Sequence, residues 1–130
     1  MTVLMAFDPG GSTGVAVKID DNYHTCTITE PKELWDLIKN FKPDRIAFES
    51  FATGGQVDRN MLHTIELVGS IHGIAYVLDI PFHGQQPQAR RSFILDAQRL
   101  LSGQSGATRH ETDALAHLLL LEHRMEKGLL

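Results

Sequence analysis

The chain has little of several things, and each scarcity removes a class of protein. A single cysteine, Cys26, excludes an internal disulfide and any multi-cysteine zinc site. Apolar runs such as Leu118 to Leu121 fall far short of the roughly 20 residues that a bilayer-spanning helix needs. The opening "MTVLMAFDPGG" has neither the basic start nor the small-residue cleavage site of a signal peptide, so a cytoplasmic location is expected. No repeat, low-complexity tract or linker-like stretch interrupts residues 1–130, which read as one domain large enough to bury a core. Basic residues are also short: 12 Lys and Arg against 16 Asp and Glu leave a net charge of −4. That is the reverse of the usual nucleic-acid-binding balance. Carboxylates gathered around a metal would be neutralised there, however, leaving basic side chains free to meet phosphates.

What is present is an alternation of strand and helix patterns. Residues 2–8 and 13–20 read as strands joined by the turn "PGGS", and 23–29 as a third strand reached through Asp20-Asp21-Asn22. Turns this short imply an antiparallel meander. Pro31 opens a helix running to Phe41, at a position where proline is tolerated. Residues 44–51, "DRIAFESF", form the next strand, apolar enough to be central. A long helix follows from about Val57 to Asp79, with Met61, Ile65, Val68, Ile71 or His72, and Ala75 at helical spacing. A short strand over 80–85, an amphipathic helix over 88–101, the loop "SGQSGA" and a final helix from Arg109 to His123 complete the chain. The order βββαβαβαα predicts an α/β domain with a mixed five-stranded sheet flanked by helices.

Two carboxylates stand out within this frame. Asp8 ends the first strand on the face of Ala6 and Leu4; Glu49 lies near the end of 44–51 on the face of Ala47 and Phe51. Each has an alanine two residues back, which leaves room beside it. A carboxylate embedded in an apolar strand costs several kcal/mol unless something compensates it, and two on neighbouring parallel strands would repel. A cation is the economical explanation.

The final helix adds to them. In "RHETDALAHLLLLEH", Thr108 and Glu111 fit a T-x-x-E capping box, which gives Glu111 a structural reason to exist. His110 and Asp113 are three apart and share a helix face. Asp113 lies beyond the capping positions; its ordinary reading is a solvated acid favoured by the helix dipole. The sharper reading sets His110 and Asp113 opposite Asp8 and Glu49 across divalent metal. Two Mg²⁺ or Mn²⁺ ions about 4 Å apart would suit in-line phosphodiester hydrolysis, with His110 as ligand or as general acid or base. "HETDALAH" is not a zinc-protease motif, because Ala114 stands where H-E-x-x-H needs its second histidine, and no P-loop is present.

These pieces together resemble a RuvC-like Holliday-junction resolvase of the ribonuclease H-like superfamily. "FDPGGSTGVAV" is similar to the family's first strand with its catalytic aspartate and D-P-G turn, and corresponds to Asp8; "IAFESF" is similar to its second acidic strand, and corresponds to Glu49. "ELVGSIHGIAYVL" resembles its long Gly-x-x-x-Gly helix, here Gly69 and Gly73, used near the dimer interface. "HETDALAH" resembles its final D-x-x-D-A-L-A helix and points to His110 and Asp113, with His110 where many members carry Asp. The match follows the family's order along nearly the whole chain. It implies a homodimeric, Mg²⁺- or Mn²⁺-dependent endonuclease, two ions per site, that nicks four-way or otherwise branched DNA in pairs. The compact loops would suit a phage-encoded member, acting in a bacterial or host cytoplasm. Packing of Gly69 and Gly73 on the protein's own sheet would explain them equally well.

Arg90, Arg91, Arg99 and Arg109 are the candidate phosphate contacts, with a solvated helix face as the competing account of Arg90, Arg91 and Arg99. Arg109 would instead suit orienting the scissile phosphate. Phe51 is a candidate for stacking on bases, against a plain core role. His117, one turn beyond Asp113, reads first as a packed residue and second as a support behind the metal site; His24, His63, His72, His83 and His123 show no ligand spacing. "DPGGSTG" also resembles the phosphate loop of actin-like kinases, but those need a second such domain. A ribonuclease H acting on RNA–DNA hybrid and a catalytically silent junction-binding module are the remaining alternatives.

Overall fold

The computed structural model describes residues 2–50, 58–104 and 106–130. Five strands form one mixed sheet in the order β3-β2-β1-β4-β5: β1 Val3–Asp8, β2 Thr13–Ile19, β3 Asn22–Ile28, β4 Arg45–Glu49 and β5 Phe82–Gln85. The first three are an antiparallel meander, as the short turns predict, and β1, β4 and β5 run parallel. The helices are α1 Pro31–Phe41, α2 Arg59–Val77, α3 Ile94–Leu101 and α4 Arg109–Glu126.

Strand alternation divides the core in two. Val3, Met5, Phe7, Val15, Val17, Ile46 and Phe48 point to the side covered by α1 and α2, where Leu34, Ile38, Ile71, Ile74 and Ala75 meet them. Leu4, Ala6, Ala16 and Ala47 point to the opposite side, where α4 brings Leu115, Leu118 and Leu121 and α3 brings Ala97 and Leu101. Burying one leucine-sized side chain stabilises by about 1.5–3 kcal/mol, so both layers hold the sheet firmly.

Helix ends follow local chemistry. Asp58 caps α2 by accepting from the Met61 amide at 2.9 Å, and Thr108 caps α4 by accepting from the Glu111 amide at 3.1 Å. Glu111 in turn accepts from Thr25 at 2.8 Å and Thr27 at 2.7 Å, lashing the start of α4 to β3. Its structural reading therefore holds.

Three expectations need correction. Residues 88–101 are not one helix: a 3₁₀ helix, Pro87–Phe93, precedes α3. Pro87 supplies no amide donor, and the Ala89 amide bonds back to the Gln86 carbonyl at 3.0 Å. On α2 the buried stripe is Leu67, Ile71, Ile74 and Ala75, whereas Ile65 is exposed. Gly69 and Gly73 do not pack on the sheet either; a Cβ at each would meet open space.

Candidate active site

The site lies at the C-terminal ends of the parallel strands β1 and β4, on the face that carries α4. Asp8 is the last residue of β1 and Glu49 the last of β4; one register step back, Phe7 pairs with Phe48. The small residues Ala6, Ala16 and Ala47 floor this face, so α4 sits close. Gly14 sets how close. It pairs with Asp8 across β1 and β2, and a Cβ on it would lie 1.9 Å from the His110 carbonyl oxygen. Only hydrogen fits there.

This close approach brings all four sequence-predicted acid and imidazole groups together. His110 Nδ1 stands 3.3 Å from Asp8 Oδ2, with the histidine side chain 47% exposed. Asp8 and Glu49 share a side-chain hydrogen bond. Asp113 is buried in the same cluster. Burial, then the charge and hydrogen bond of Glu49, then the charge of Asp113, push Asp8 up from 3.8 to about 7, against the opposing hydrogen bond of His110. Burial would raise Glu49 too, but hydrogen bonds from His117 and Asp8 and the charge of Arg90 outweigh it and hold Glu49 low. Of the two neighbouring carboxyls, Asp8 is thus the one pushed toward holding a proton and Glu49 the one held ionised.

Arg90 points into this cluster. Its Nη1 is 3.0 Å from Glu49 Oε1 and its Nε 3.4 Å from Asp113 Oδ1. The solvated-face account of Arg90 is therefore wrong: the 3₁₀ helix turns it inward, where Nη1 also donates to the Pro87 carbonyl at 2.7 Å. The Nε contact lacks hydrogen-bonding geometry, so a buried donor stands unsatisfied beside Asp113. Arg91 is exposed, and Arg99 is exposed and paired with Asp96 at 3.3 Å. Arg109 opens α4 and, with Arg90, Ile94, Gln98, Thr112 and Asp113, lines a cleft of about 420 Å³ beside the cluster. Phe51 lies outside the described residues.

Among the described residues, no three His, Cys, Asp or Glu side chains already stand in metal-holding geometry. The chemistry nevertheless fits a divalent cation. Carboxylate oxygens with one imidazole suit Mg²⁺ or Mn²⁺. A carboxyl pushed up to about 7 by burial and then by its acidic neighbours marks a shortage of positive charge that Arg90 relieves only in part.

Three site residues escaped the sequence-based reading or were undervalued by it. Gly14 looked like any strand glycine. Gln85, opposite Glu49 in the β4–β5 register, looked like the polar end of a strand. His117 was read first as packing, yet its Nε2 lies 3.2 Å from Glu49 Oε1. The available signal was a lone histidine inside "ALAHLLLL": a fully buried imidazole needs partners for both nitrogens.

No protein-family model matches this sequence, and no curated protein matches it. Solved structures do match. Thermus thermophilus RuvC in complex with a Holliday junction substrate superposes with a TM-score of 0.80 at 16% identity, over 98% of this chain and 97% of that one. A second Thermus thermophilus RuvC structure gives 0.77 at 16% identity over the same shares, 98% and 97%. The yeast mitochondrial Holliday junction resolvase Ydc2 gives 0.51 at 14% identity, over 99% of this chain and 85% of its own. Along nearly its whole length the chain has the RuvC fold, a ribonuclease H-like α/β architecture.

Proposed function

We propose that this protein is a divalent-metal-dependent endonuclease that resolves Holliday junctions and related branched DNA, acting as a homodimer whose two sites make paired nicks. One observation carries the reading: Asp8, Glu49, His110 and Asp113 meet at the strand ends of a fold shared with a RuvC whose structure holds a Holliday junction. These four residues would hold two Mg²⁺ or Mn²⁺ ions. Such ions, when bound, supply an acidified water and a counter-charge for the leaving 3′-oxygen.

The chain's own groups have separate tasks. Asp8 must give up its proton for the carboxylates to act as ligands, so a cation and that proton compete. His110, half exposed at the rim, reaches solvent and substrate and can hold or hand over a proton. Arg90 bridges Glu49 and Asp113 in the free protein; once a cation takes over that charge balance, its guanidinium is free to meet a bound scissile phosphate. Arg109, Arg91 and Arg99 follow the DNA backbone outward, and Phe51 stacks on bases.

The dimer would form through α2. Its outward face carries Leu62, Ile65, Gly69, Gly73 and Tyr76, the tyrosine 83% exposed, while its inward face is already committed to the sheet. A helix apolar on both sides calls for a partner on the second.

The test is cleavage of an end-labelled synthetic four-way junction in Mg²⁺, Mn²⁺ or EDTA, beside linear duplex and RNA–DNA hybrid. Symmetric paired nicks in the junction alone, lost in EDTA, are expected. Cutting of the hybrid instead would move the activity to a ribonuclease H. Tight junction binding without cutting under any metal would leave a binding module.

A further inference from the structure

The contacts behind Glu49 form a chain of hydrogen bonds with one direction, and we infer that His117 is a positioning residue whose tautomer, set by Gln85, orients Glu49 for cation binding. The inference rests on the nuclease reading of the site and adds a layer behind it.

The direction follows from donor and acceptor chemistry. His117 is fully buried. Its Nδ1 faces the Gln85 amide nitrogen Nε2 at 3.1 Å. An amide nitrogen only donates, so Nδ1 accepts, and the ring proton sits on Nε2, aimed at Glu49 Oε1 at 3.2 Å. The orientation of Gln85 is fixed by two further contacts. The same Nε2 donates to the His117 carbonyl at 3.0 Å, and Oε1 accepts from Arg124 Nη1 at 3.4 Å. Turning the amide over would set its oxygen against a carbonyl oxygen and its N–H groups against a guanidinium. Donation therefore runs from Arg124 to Gln85, to His117, to Glu49.

The arrangement gives Glu49 a rigid support. Glutamate has a flexible side chain, and Glu49 stands at the last position of β4. His117 lies on the buried core of α4, the same helix that presents His110 and Asp113. One rigid element thus supplies two of the four proposed ligands and holds a third in place. Hydrogen-bonded partners behind metal ligands commonly change metal affinity by about 10–100-fold when removed. In the free protein, Nε2 of His117 and Nη1 of Arg90 converge on the same oxygen of Glu49. His117 would keep its hold after Arg90 lets go.

The experiment uses the full chain. Histidine ¹⁵N NMR of the metal-free protein should show His117 protonated at Nε2 and bare at Nδ1. Mn²⁺ alone is then titrated by calorimetry into wild type, His117→Leu and His117→Gln, the last placing an amide N–H near the lost donor. About a 10–100-fold weaker Mn²⁺ affinity in His117→Leu, largely restored in His117→Gln, is expected. Gln85→Glu, which sets an acceptor against Nδ1, should move the proton there and weaken Mn²⁺ binding without emptying the core. A proton on Nδ1 in wild type, or a folded His117→Leu that binds Mn²⁺ as wild type does, would overturn the positioning role and leave the nuclease reading standing. Wild type that binds Mn²⁺ with the predicted His117 dependence but cuts no junction would overturn the nuclease reading alone.

Discussion

The two faces of the sheet are built from different materials. Toward α1 and α2 the strands present Met5, Phe7, Val15, Val17, Ile46 and Phe48, nearly all of them large and apolar. Toward α4 they present Ala6, Ala16, Ala47 and, at one edge of contact, Gly14, ending in Asp8 and Glu49. Large side chains hold a helix at arm's length and contribute most of the apolar burial. Small ones let a helix settle until its short side chains reach across to the strand ends. The first face gives stability; the second spends some of it to hold carboxylates within reach of one another.

Substitutions on the two faces should therefore fail in different ways. The largest effect belongs to the acids. Asp8→Asn, Glu49→Gln and Asp113→Asn should each lower junction cleavage by about 10²–10³-fold or more, the scale of losing one group that stabilises developing charge. Circular dichroism should still report a folded protein; near-normal cleavage by any one of them would remove that residue from the proposed site.

Next come paired truncations and insertions. Phe7→Ala, on the large-residue face, should cost about 3–5 kcal/mol in denaturant unfolding, while the folded fraction cleaves at its usual rate. Gly14→Ala, on the small-residue face, should cost about 1–3 kcal/mol yet lose most cleavage, because the added carbon collides with the His110 backbone and lifts α4 from Asp8. If both variants lost activity only in proportion to their stability, the division between the faces would not hold.

A smaller effect has the opposite sign. In the metal-free fold Asp8 is pushed up from 3.8 to about 7, so the folded state holds that proton more tightly than the unfolded chain does. The associated stability is fully present below pH about 3.8 and is lost as pH rises through about 7. Glu49 and Glu111 are held low and act the other way, losing their contribution as acid protonates them; His83, held low by burial and by the charges of Arg45 and Arg124, also acts against Asp8 between pH 5 and 8, so the Asp8 part is read as the difference between wild type and Asp8→Asn. Melting of the metal-free protein should weaken across that range, and Asp8→Asn, inactive, should be more stable at pH 8 by roughly 0.5–2 kcal/mol. Adding Mn²⁺ should raise the wild-type melting temperature more at pH 8 than at pH 5.5. The smallest effect is expected of Thr108→Ala, about 1 kcal/mol from the lost cap of α4.

Much of this architecture was legible in the chain. Strand alternation placed Asp8 and Glu49 on one face, and the short turns predicted the meander. The T-x-x-E box separated Glu111 from the cluster, and the structure sends that carboxylate to Thr25 and Thr27 instead. What escaped depends on distance in space. Arg90 reads as part of a solvated helix face only if 88–101 is one helix; Pro87 starts a 3₁₀ helix and turns it inward. The outward exposure of Gly69 and Gly73 follows from which side of α2 meets the sheet, and an apolar pattern on both sides does not reveal that. Gly14 and Gln85 matter through a helix and a strand remote from them in sequence, and no local pattern records such neighbours.

The wide separation of the site's parts has a consequence for the newborn protein. Asp8 meets His110 across 102 positions, and Glu49 meets His117 across 68. During synthesis, β1 to β5 emerge from the ribosome before any residue of α4, and a domain folds as a unit once its parts are made. A nascent or truncated chain that ends before α4 thus lacks His110, Asp113 and the imidazole behind Glu49. Arming comes last: the proposed site is complete only once α4 has been made and packed.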